Sequence, residues 1–152
     1  MVKFIVDCML GKLARWLRIS GYDTLYIRYL SDQKIIALAR FEKRFILTRD
    51  REMQRLEPNL VCLIESLSLQ EQLQEVFERF GLSPRLDESR CPHCNEVLVP
   101  ISRDQAKKHI PLFVYQSFDK FTQCPSCQRV YWPGTHWQKI THLCQCVANK
   151  SE

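Results

Sequence analysis

Two Cys-x-x-Cys pairs constrain the fold of this 152-residue chain more than any other feature of its sequence. Cys91 and Cys94 form the first pair, Cys124 and Cys127 form the second, and residues 95–123 lie between them. A two-residue spacer lets both thiolates of a pair bind one metal ion from a tight turn, and zinc takes four such ligands. The spacing therefore predicts a structural zinc ion in a small ribbon, with free or redox-active thiols as the alternative interpretation.

The other four cysteines do not repeat this spacing. Cys8 and Cys62 lie in or beside apolar runs, and Cys144 and Cys146 come near the end of the chain. We interpret them as buried or incidental thiols, and the sequence leaves the role of Cys144 and Cys146 open. His93 is an alternative zinc ligand, although four cysteines already complete the set.

The composition favours a cytoplasmic protein. No apolar run reaches the length of about 18 residues that a membrane helix needs, and the amino terminus lacks a signal-peptide pattern. We therefore expect a soluble chain without membrane contact. In a reducing compartment, paired cysteines favour zinc over disulfides.

Apolar runs and helical patterns alternate along the first half of the chain. We expect strands at 2–6, 23–27, 44–48 and 59–64, and helices at 9–19, 32–41 and 68–80. Ser31 and Ser68 are the expected N-caps of the second and third helices. This alternation predicts an α/β fold with a parallel sheet flanked by helices.

A cluster of Gly, Ser and Pro at residues 81–84 marks a break in this pattern. We expect two domains, an α/β domain at 1–82 and a small β-rich zinc ribbon at 85–146. Within the ribbon, short apolar runs predict strands at 97–101, 112–115 and 129–132.

Aspartates follow two of the predicted strands. Asp7 comes directly after the first strand, Asp50 comes soon after the third, and Asp32 opens the helix between them. In an open parallel sheet, ligands bind beyond the carboxyl ends of the strands, so the three carboxylates are expected to converge there. Such a site would bind Mg²⁺ or Mn²⁺ and activate water, although the helix dipole alone would explain Asp32.

Positive charge surrounds this acidic site. Residues 1–55 carry twelve Lys and Arg against six Asp and Glu, whereas residues 56–85 carry two against five. Lys12, Arg15 and Arg18 recur every three residues and would lie along one flank of the first helix. That flank would attract the phosphates of a nucleic acid, or it would simply be a solvated face.

Three stretches of the sequence, in this order, resemble a known family. The first is the run MLGKLARWLR from Met9 to Arg18, and the second is LTRD at 47–50. The third comprises both cysteine pairs and the closing run YWPGTHW at 131–137. Together they resemble the Mut-seven carboxyl-terminal RNase domain, a PIN-like nuclease fold with an appended zinc ribbon, over about residues 2–143.

The resemblance implies specific roles for the matched residues. Asp7, Asp32 and Asp50 would be the catalytic acids that bind Mg²⁺ or Mn²⁺, with Thr48 as the accompanying hydroxyl. Many PIN nucleases have a further acid between the first two, and here only Asp23 lies there. The sequence therefore leaves open whether the site binds one catalytic metal ion or two.

The expected substrate is RNA, and the expected contacts follow from charge. Lys12, Arg15 and Arg49 would hold phosphates next to the cleaved bond, and unstructured single-stranded RNA is the expected form. In the ribbon, a set of basic and aromatic residues would either stack on RNA bases or pack the ribbon against the first domain, and we favour packing. The set comprises Arg103, Lys107, Lys108, Trp132, His136 and Trp137.

Two rival functions follow from the same sequence. One is a non-catalytic module that binds nucleic acid or protein, with the aspartates serving as caps and turn residues. The other is a ribonuclease toxin restrained by a protein partner. A dinucleotide-binding enzyme is disfavoured because no Gly-x-Gly-x-x-Gly follows a strand. The sequence leaves open the natural RNA, endonucleolytic or exonucleolytic cleavage, and the oligomeric state.

Overall fold

The first half of the chain forms a four-stranded parallel sheet. The computed structural model describes residues 1–134 and 137–143. The strands lie in the order β2-β1-β3-β4, and each neighbouring pair is parallel. Their bounds are Phe4–Val6 for β1, Thr24–Tyr26 for β2, Phe45–Thr48 for β3 and Val61–Leu63 for β4. The predicted α/β fold class is confirmed, and each strand falls within its predicted run.

Helices cover both faces of this sheet. They are α1 (Gly11–Ile19), α2 (Asp32–Glu42), α3 (Arg51–Leu56) and α4 (Leu69–Phe80). Helices α1 and α4 bury one face with Phe4 and Leu47, whereas α2 and α3 bury the other with Ile5 and Ile46. Strands β1 and β3 are apolar almost throughout because both of their faces are covered. No helix within the described residues is long and apolar enough to cross a membrane.

The helix ends follow from local sequence. The Ser31 hydroxyl accepts a hydrogen bond from the N–H of Lys34 at 3.3 Å, and the Ser68 hydroxyl accepts one from Glu71 at 3.2 Å. Both predicted N-caps are thereby confirmed. Helix α4 ends at Gly81, whose φ of 63° is the left-handed conformation that glycine adopts without strain. Helix α3 was not predicted, because six residues are too few to show a helical repeat.

The cysteine-rich half contains a small antiparallel sheet. Its strands are β5 (Val99–Ile101), β6 (Phe121–Gln123) and β7 (Val130–Tyr131), in that order. Between β5 and β6 lie α5 (Arg103–Ala106) and α6 (Leu112–Ser117). The strand predicted at 112–115 is wrong: α6 occupies those residues, and a short apolar run does not distinguish strand from helix. Residues 137–143 are helical, and Ile140 is buried in the core around α1.

Hydrogen bonds join the two halves beside the first cysteine pair. Arg18 is buried: its Nε donates to the Thr24 carbonyl at 2.8 Å and its Nη1 donates to the Pro92 carbonyl at 2.7 Å. The Asn95 side chain accepts from the Thr24 N–H at 3.0 Å and donates to Asp23 at 2.7 Å. Arg18 therefore lies on the same flank of α1 as Lys12 and Arg15, as predicted, but the ribbon buries it and its guanidinium binds backbone carbonyls.

Asp23 forms an ion pair with the buried Arg44. Nη1 and Nη2 of Arg44 donate to the two oxygens of Asp23 at 2.8 and 3.2 Å. Desolvation is the largest single effect and raises the pKa of Asp23, but hydrogen bonds from Arg44 and Asn95, with the charge of Arg44, outweigh it. The pKa of Asp23 is consequently lower than its usual value of 3.8.

We expect Asp23→Ala to lower the free energy of unfolding near neutral pH by about 2 kcal/mol, because Arg44 loses one buried counter-charge and keeps only Glu42. A depressed folded-state pKa stabilises the protein above the unfolded-state pKa near 3.8, and this contribution disappears as pH falls through the folded-state value. Urea unfolding of the wild-type and Asp23→Ala proteins, from neutral pH down to acid, measures the difference in their free energies of unfolding. A difference that is unchanged in acid would contradict the prediction.

Candidate active site

The carboxyl ends of β1 and β3 lie side by side in the middle of the sheet. From β1 the chain crosses to β2 on one side, whereas β3 and β4 lie on the other side. Such a reversal leaves a crevice outside the carboxyl ends, and ligands bind there in open parallel sheets. Asp7 directly follows β1, and Asp50 comes two residues after the end of β3. Both aspartates therefore flank the crevice between these strands.

Thr48 links the two aspartates. Its hydroxyl donates to Oδ2 of Asp7 at 2.6 Å, and the same hydroxyl oxygen accepts from the Asp50 N–H at 3.0 Å. The Thr48 side chain is fully buried at the end of β3. The other oxygen of Asp7, Oδ1, accepts from the Met9 N–H at 3.0 Å. Thr48 and Met9 thus occupy one lone pair on each oxygen of the Asp7 carboxylate.

An exposed thiol lies next to the Asp7 carboxylate. A hydrogen bond to Asp7 and the negative charge of Asp7 raise the pKa of Cys8 above its usual value. Of the two predicted alternatives, a buried or an incidental thiol, Cys62 is buried, whereas Cys8 is exposed and only the second alternative is left for it.

Asp50 also has a structural role. Its Oδ1 caps α3 by accepting from the N–H groups of Glu52 at 2.9 Å and Met53 at 3.5 Å. Its Oδ2 accepts no hydrogen bond from any residue that the structure describes. One oxygen therefore holds the helix, and the other is free to bind a ligand.

Asp32 lies at the same edge of the sheet, at the start of the helix that follows β2. Its side chain is exposed and makes no hydrogen bond or ion pair within residues 1–134 and 137–143. Ser31 caps the helix, so Asp32 is not needed for that purpose. Within the described part of the chain, the three aspartates do not form a ligand group in which all donor atoms lie within 4.8 Å of one another.

The chemistry of these acidic groups suits a hard divalent cation. Mg²⁺ prefers carboxylate oxygens, and proteins commonly bind it through one or two carboxylates while water completes the shell. Asp7 and Asp50 offer such a pair on either side of the crevice, and Asp32 adds an unpaired carboxylate beyond β2. The donor set therefore fits Mg²⁺ or Mn²⁺.

The predicted phosphate-binding residues differ in their surroundings. Lys12 and Arg15 are exposed in the first two turns of α1, shortly after Asp7. Nη1 of Arg49 donates to the carbonyl of Ser66 at 2.7 Å. Arg49 therefore also fixes the loop after β4, and its other N–H groups are left for a ligand.

Sequence reasoning missed a basic and aromatic cluster at the end of β2. The guanidinium carbon of Arg28 lies 5.4 Å from the centroid of the Tyr26 ring. Hydrogen bonds with Tyr26 and Tyr29 raise the pKa of Arg28 above its usual value. Tyr29 is 91% exposed. Aromatic and basic residues alternate in the sequence Tyr-Ile-Arg-Tyr at 26–29, which is the signal that could have found them.

Tyr26 also explains the glycine at the start of α1. A Cβ at Gly11 would lie 3.0 Å from the hydroxyl oxygen of Tyr26, and this hydroxyl donates to the Cys8 carbonyl at 2.7 Å. The absence of a side chain at Gly11 therefore lets Tyr26 pack over the segment that follows Asp7.

The four predicted zinc ligands converge. The sulfur atoms of Cys91, Cys94, Cys124 and Cys127 all lie within 4.8 Å of one another, and those of Cys91 and Cys127 are 3.7 Å apart. A tetrahedron with zinc–sulfur bonds of about 2.3 Å has edges of about 3.8 Å. The Tyr131 hydroxyl lies 3.2 Å from the sulfur of Cys91. This cluster can hold one zinc ion.

The surroundings of Cys94 and Cys127 move the pKa values of these two thiols in opposite directions. Desolvation and hydrogen bonds with neighbouring thiols raise the pKa of Cys94 to about 12. Hydrogen bonding to the backbone of Arg129 lowers the pKa of Cys127 to about 6. Four thiolates would not coexist near neutral pH without a cation, and a bound metal deprotonates the thiols that coordinate it.

The ribbon residues with a predicted role in RNA stacking or in packing occupy several environments. The Arg103 guanidinium carbon and the Lys107 ammonium lie 4.5 and 5.4 Å from the centroid of the Tyr115 ring. Trp132 packs against the core of the ribbon itself, whereas the packing interpretation placed it between the ribbon and the first domain. His136, Cys144 and Cys146 lie outside the described residues.

Comparison with known families identifies the chain. The model of the family described as Mut7-C RNAse domain matches residues 2–144. The match spans the parallel sheet and both cysteine pairs, so the chain belongs to the Mut7-C RNAse domain family. This confirms the resemblance found in the sequence and supports a nuclease. The comparisons with curated proteins and with solved structures found no match.

Proposed function

We propose that this protein is a ribonuclease that uses Mg²⁺ or Mn²⁺ to hydrolyse phosphodiester bonds of single-stranded RNA. The observation that carries the proposal is the Thr48 hydroxyl, which joins Asp7 and Asp50 at the crevice between β1 and β3. Family membership supports the class of reaction. The unpaired oxygens of Asp50 and Asp32 support a cation of the hard type.

We assign Asp7, Asp32 and Asp50 to cation binding. Thr48 and the Met9 N–H each donate to one oxygen of Asp7, so together they fix the orientation of its carboxylate. A cation bound there would supply a water of lowered pKa and would stabilise the negative charge of the phosphate during hydrolysis. Hydrogen bonds within the protein thus orient the carboxylates of Asp7 and Asp50 before the substrate binds.

Charge and exposure support RNA as the substrate. Lys12 and Arg15 follow the active site on an exposed helical turn, and we assign them with Arg49 to the phosphates beside the cleaved bond. Tyr29 is almost fully exposed near the same edge of the sheet. Unpaired bases stack on aromatic side chains of this kind, which favours single-stranded RNA over duplex.

We assign the zinc ion a structural role. Four thiolates fill a tetrahedral shell and leave no position for substrate. Reduced thiols of this kind fit a cytoplasmic protein. We also propose an α/β domain at 1–82 and a ribbon domain at 85–146, since each sheet lies wholly on one side of that boundary, although Ile140 packs back into the core of the first domain.

A metal-dependence assay tests the ribonuclease proposal. We expect the protein to cleave a labelled unstructured RNA with Mg²⁺ or Mn²⁺, to stop in EDTA, and to resume when excess Mg²⁺ is restored. Zinc content measured after EDTA treatment controls for damage to the ribbon. Cleavage that persists in EDTA would contradict metal dependence. Absence of cleavage with either cation would favour the alternative, a non-catalytic binding module whose Asp50 serves only as a helix cap.

A further inference from the structure

A cleft of about 710 Å³ extends from the active site to the zinc ribbon. Residues from four segments of the chain line it: 9–18, 26–28, 67–72 and, between Cys91 and Cys94, 92–93. The three aspartates do not line it. Met9, however, lines the cleft and donates its N–H to Asp7, so the cleft begins next to the active site.

The charge of this cleft is entirely positive. Among the described residues that line it, the side chains with a full charge are Lys12, Arg15, Arg18 and Arg28. Arg18 is buried and donates to backbone carbonyls, whereas the other three are exposed. A concave surface with several cations and no carboxylate attracts a polyanion, and the phosphates of a nucleic acid chain are spaced along such a path.

The turn of the ribbon that lines the cleft, at Pro92 and His93, is held in place by contacts on two sides. Arg18 binds the Pro92 carbonyl, and Asn95 binds Asp23 and Thr24 at the edge of the parallel sheet. The cysteine cluster holds the same turn from within the ribbon. His93 is exposed on this turn, so its backbone has a defined position relative to α1 and its ring is accessible to a ligand.

A second cleft continues the surface beyond His93. Its volume is about 390 Å³, and its lining includes Arg129, Trp132 and His109 as well as His93. His93 is therefore the residue at which the two clefts meet.

We propose that the larger cleft binds the segment of single-stranded RNA that adjoins the cleaved phosphate, and that His93 is the contact at the ribbon end. The proposal rests on the ribonuclease function for the identity of the ligand. Lys12, Arg15 and Arg28 bind phosphates, and the His93 ring stacks on an unpaired base. A duplex does not fit this role, since proteins that bind double-stranded RNA contact it along about 16 base pairs, over a broad surface rather than in a cleft. The zinc ion thus places a substrate contact without taking part in chemistry.

RNA affinity in the absence of cleavage tests the proposal. We would introduce Arg28→Gln and His93→Ala separately into the Asp7→Asn protein and measure fluorescence anisotropy of a labelled unstructured RNA. Each substitution is expected to weaken binding about tenfold. Arg28→Gln should also reduce the steepness of log affinity against log salt by about 0.7, whereas His93→Ala should leave it unchanged because stacking releases no counterion.

Lys120→Gln is the matched control, since Lys120 is basic and exposed but lies outside both clefts. Affinities equal to that of this control would overturn the proposal, even if the wild-type protein cleaves RNA. Equal affinity for duplex and single strand would overturn the assignment of a single strand. Because His93 lies beside zinc ligands, the zinc content of each variant is measured in parallel. If His93→Ala loses its metal, the test of the proposal rests on Arg28→Gln alone. Wild-type protein that binds through the cleft but cleaves nothing would instead refute the ribonuclease function.

Discussion

Replacing Asp7 with asparagine is expected to abolish RNA cleavage with little loss of fold. The substitution removes the negative charge that we assign to cation binding, and this should lower the cleavage rate about a thousandfold or more. The hydrogen bonds around residue 7 can be kept. An asparagine Oδ1 can accept from the Met9 N–H, and its Nδ2 can donate to the Thr48 hydroxyl oxygen, whose own proton then turns elsewhere.

Single-turnover cleavage of a labelled unstructured RNA, together with thermal unfolding, measures both halves of this prediction. Asp119→Asn is the control for the loss of one carboxylate, because Asp119 is exposed in the ribbon, away from the crevice. The control should cleave at the wild-type rate. An Asp7→Asn protein that did the same would exclude Asp7 from the site.

The same substitution at Asp50 separates helix capping from cation binding. Asparagine caps a helix about as well as aspartate, so the bonds to Glu52 and Met53 would persist. If Asp50 were only a cap, Asp50→Asn would retain activity. The ribonuclease proposal requires that activity falls while the unfolding temperature changes little.

The sequence was sufficient for the main lines of the fold because the relevant signals are local. Alternating apolar runs and helical repeats gave four strands in their observed places, and the two serine caps follow from residue type alone. The position of Asp7 after a strand end also followed, since the carboxyl edge of a parallel sheet is shared by all its strands.

What the sequence could not show depends on contacts between distant segments. Arg18 repeats the spacing of Lys12 and Arg15, yet it binds Pro92, which is 74 residues away in the chain, and is buried. Periodicity describes which side of a helix a residue occupies but not what covers that side. The cleft beside His93 is unpredictable for the same reason, because its walls come from both halves of the chain.

Replacing Cys124 with serine is expected to remove zinc and unfold the ribbon. Cys124 is fully buried in the cluster, and a serine hydroxyl does not replace a soft thiolate. Apart from cysteines, the ribbon core contains only Ala106, Val114, Phe121 and Val130 as buried residues in the described part of the chain. So small a core needs the binding energy of the metal, which is about 10 kcal/mol or more in small zinc domains.

Loss of zinc should also destabilise the parallel sheet, because the hydrogen bonds between the two halves depend on the folded turn at Cys91 and Cys94. Unfolding of that turn removes the Pro92 carbonyl from the buried Arg18 guanidinium, which should destabilise the first half by about 1–3 kcal/mol. For Cys124→Ser, metal analysis measures the loss of zinc, limited proteolysis measures unfolding of the ribbon, and urea unfolding measures the stability of the first half. Cys8→Ser is the control for zinc content, because Cys8 lies outside the cluster. A Cys124→Ser protein that lost its zinc but kept a protease-resistant ribbon would show that the metal is not what holds this half together, and one that kept stoichiometric zinc would show that Cys124 is not a required ligand.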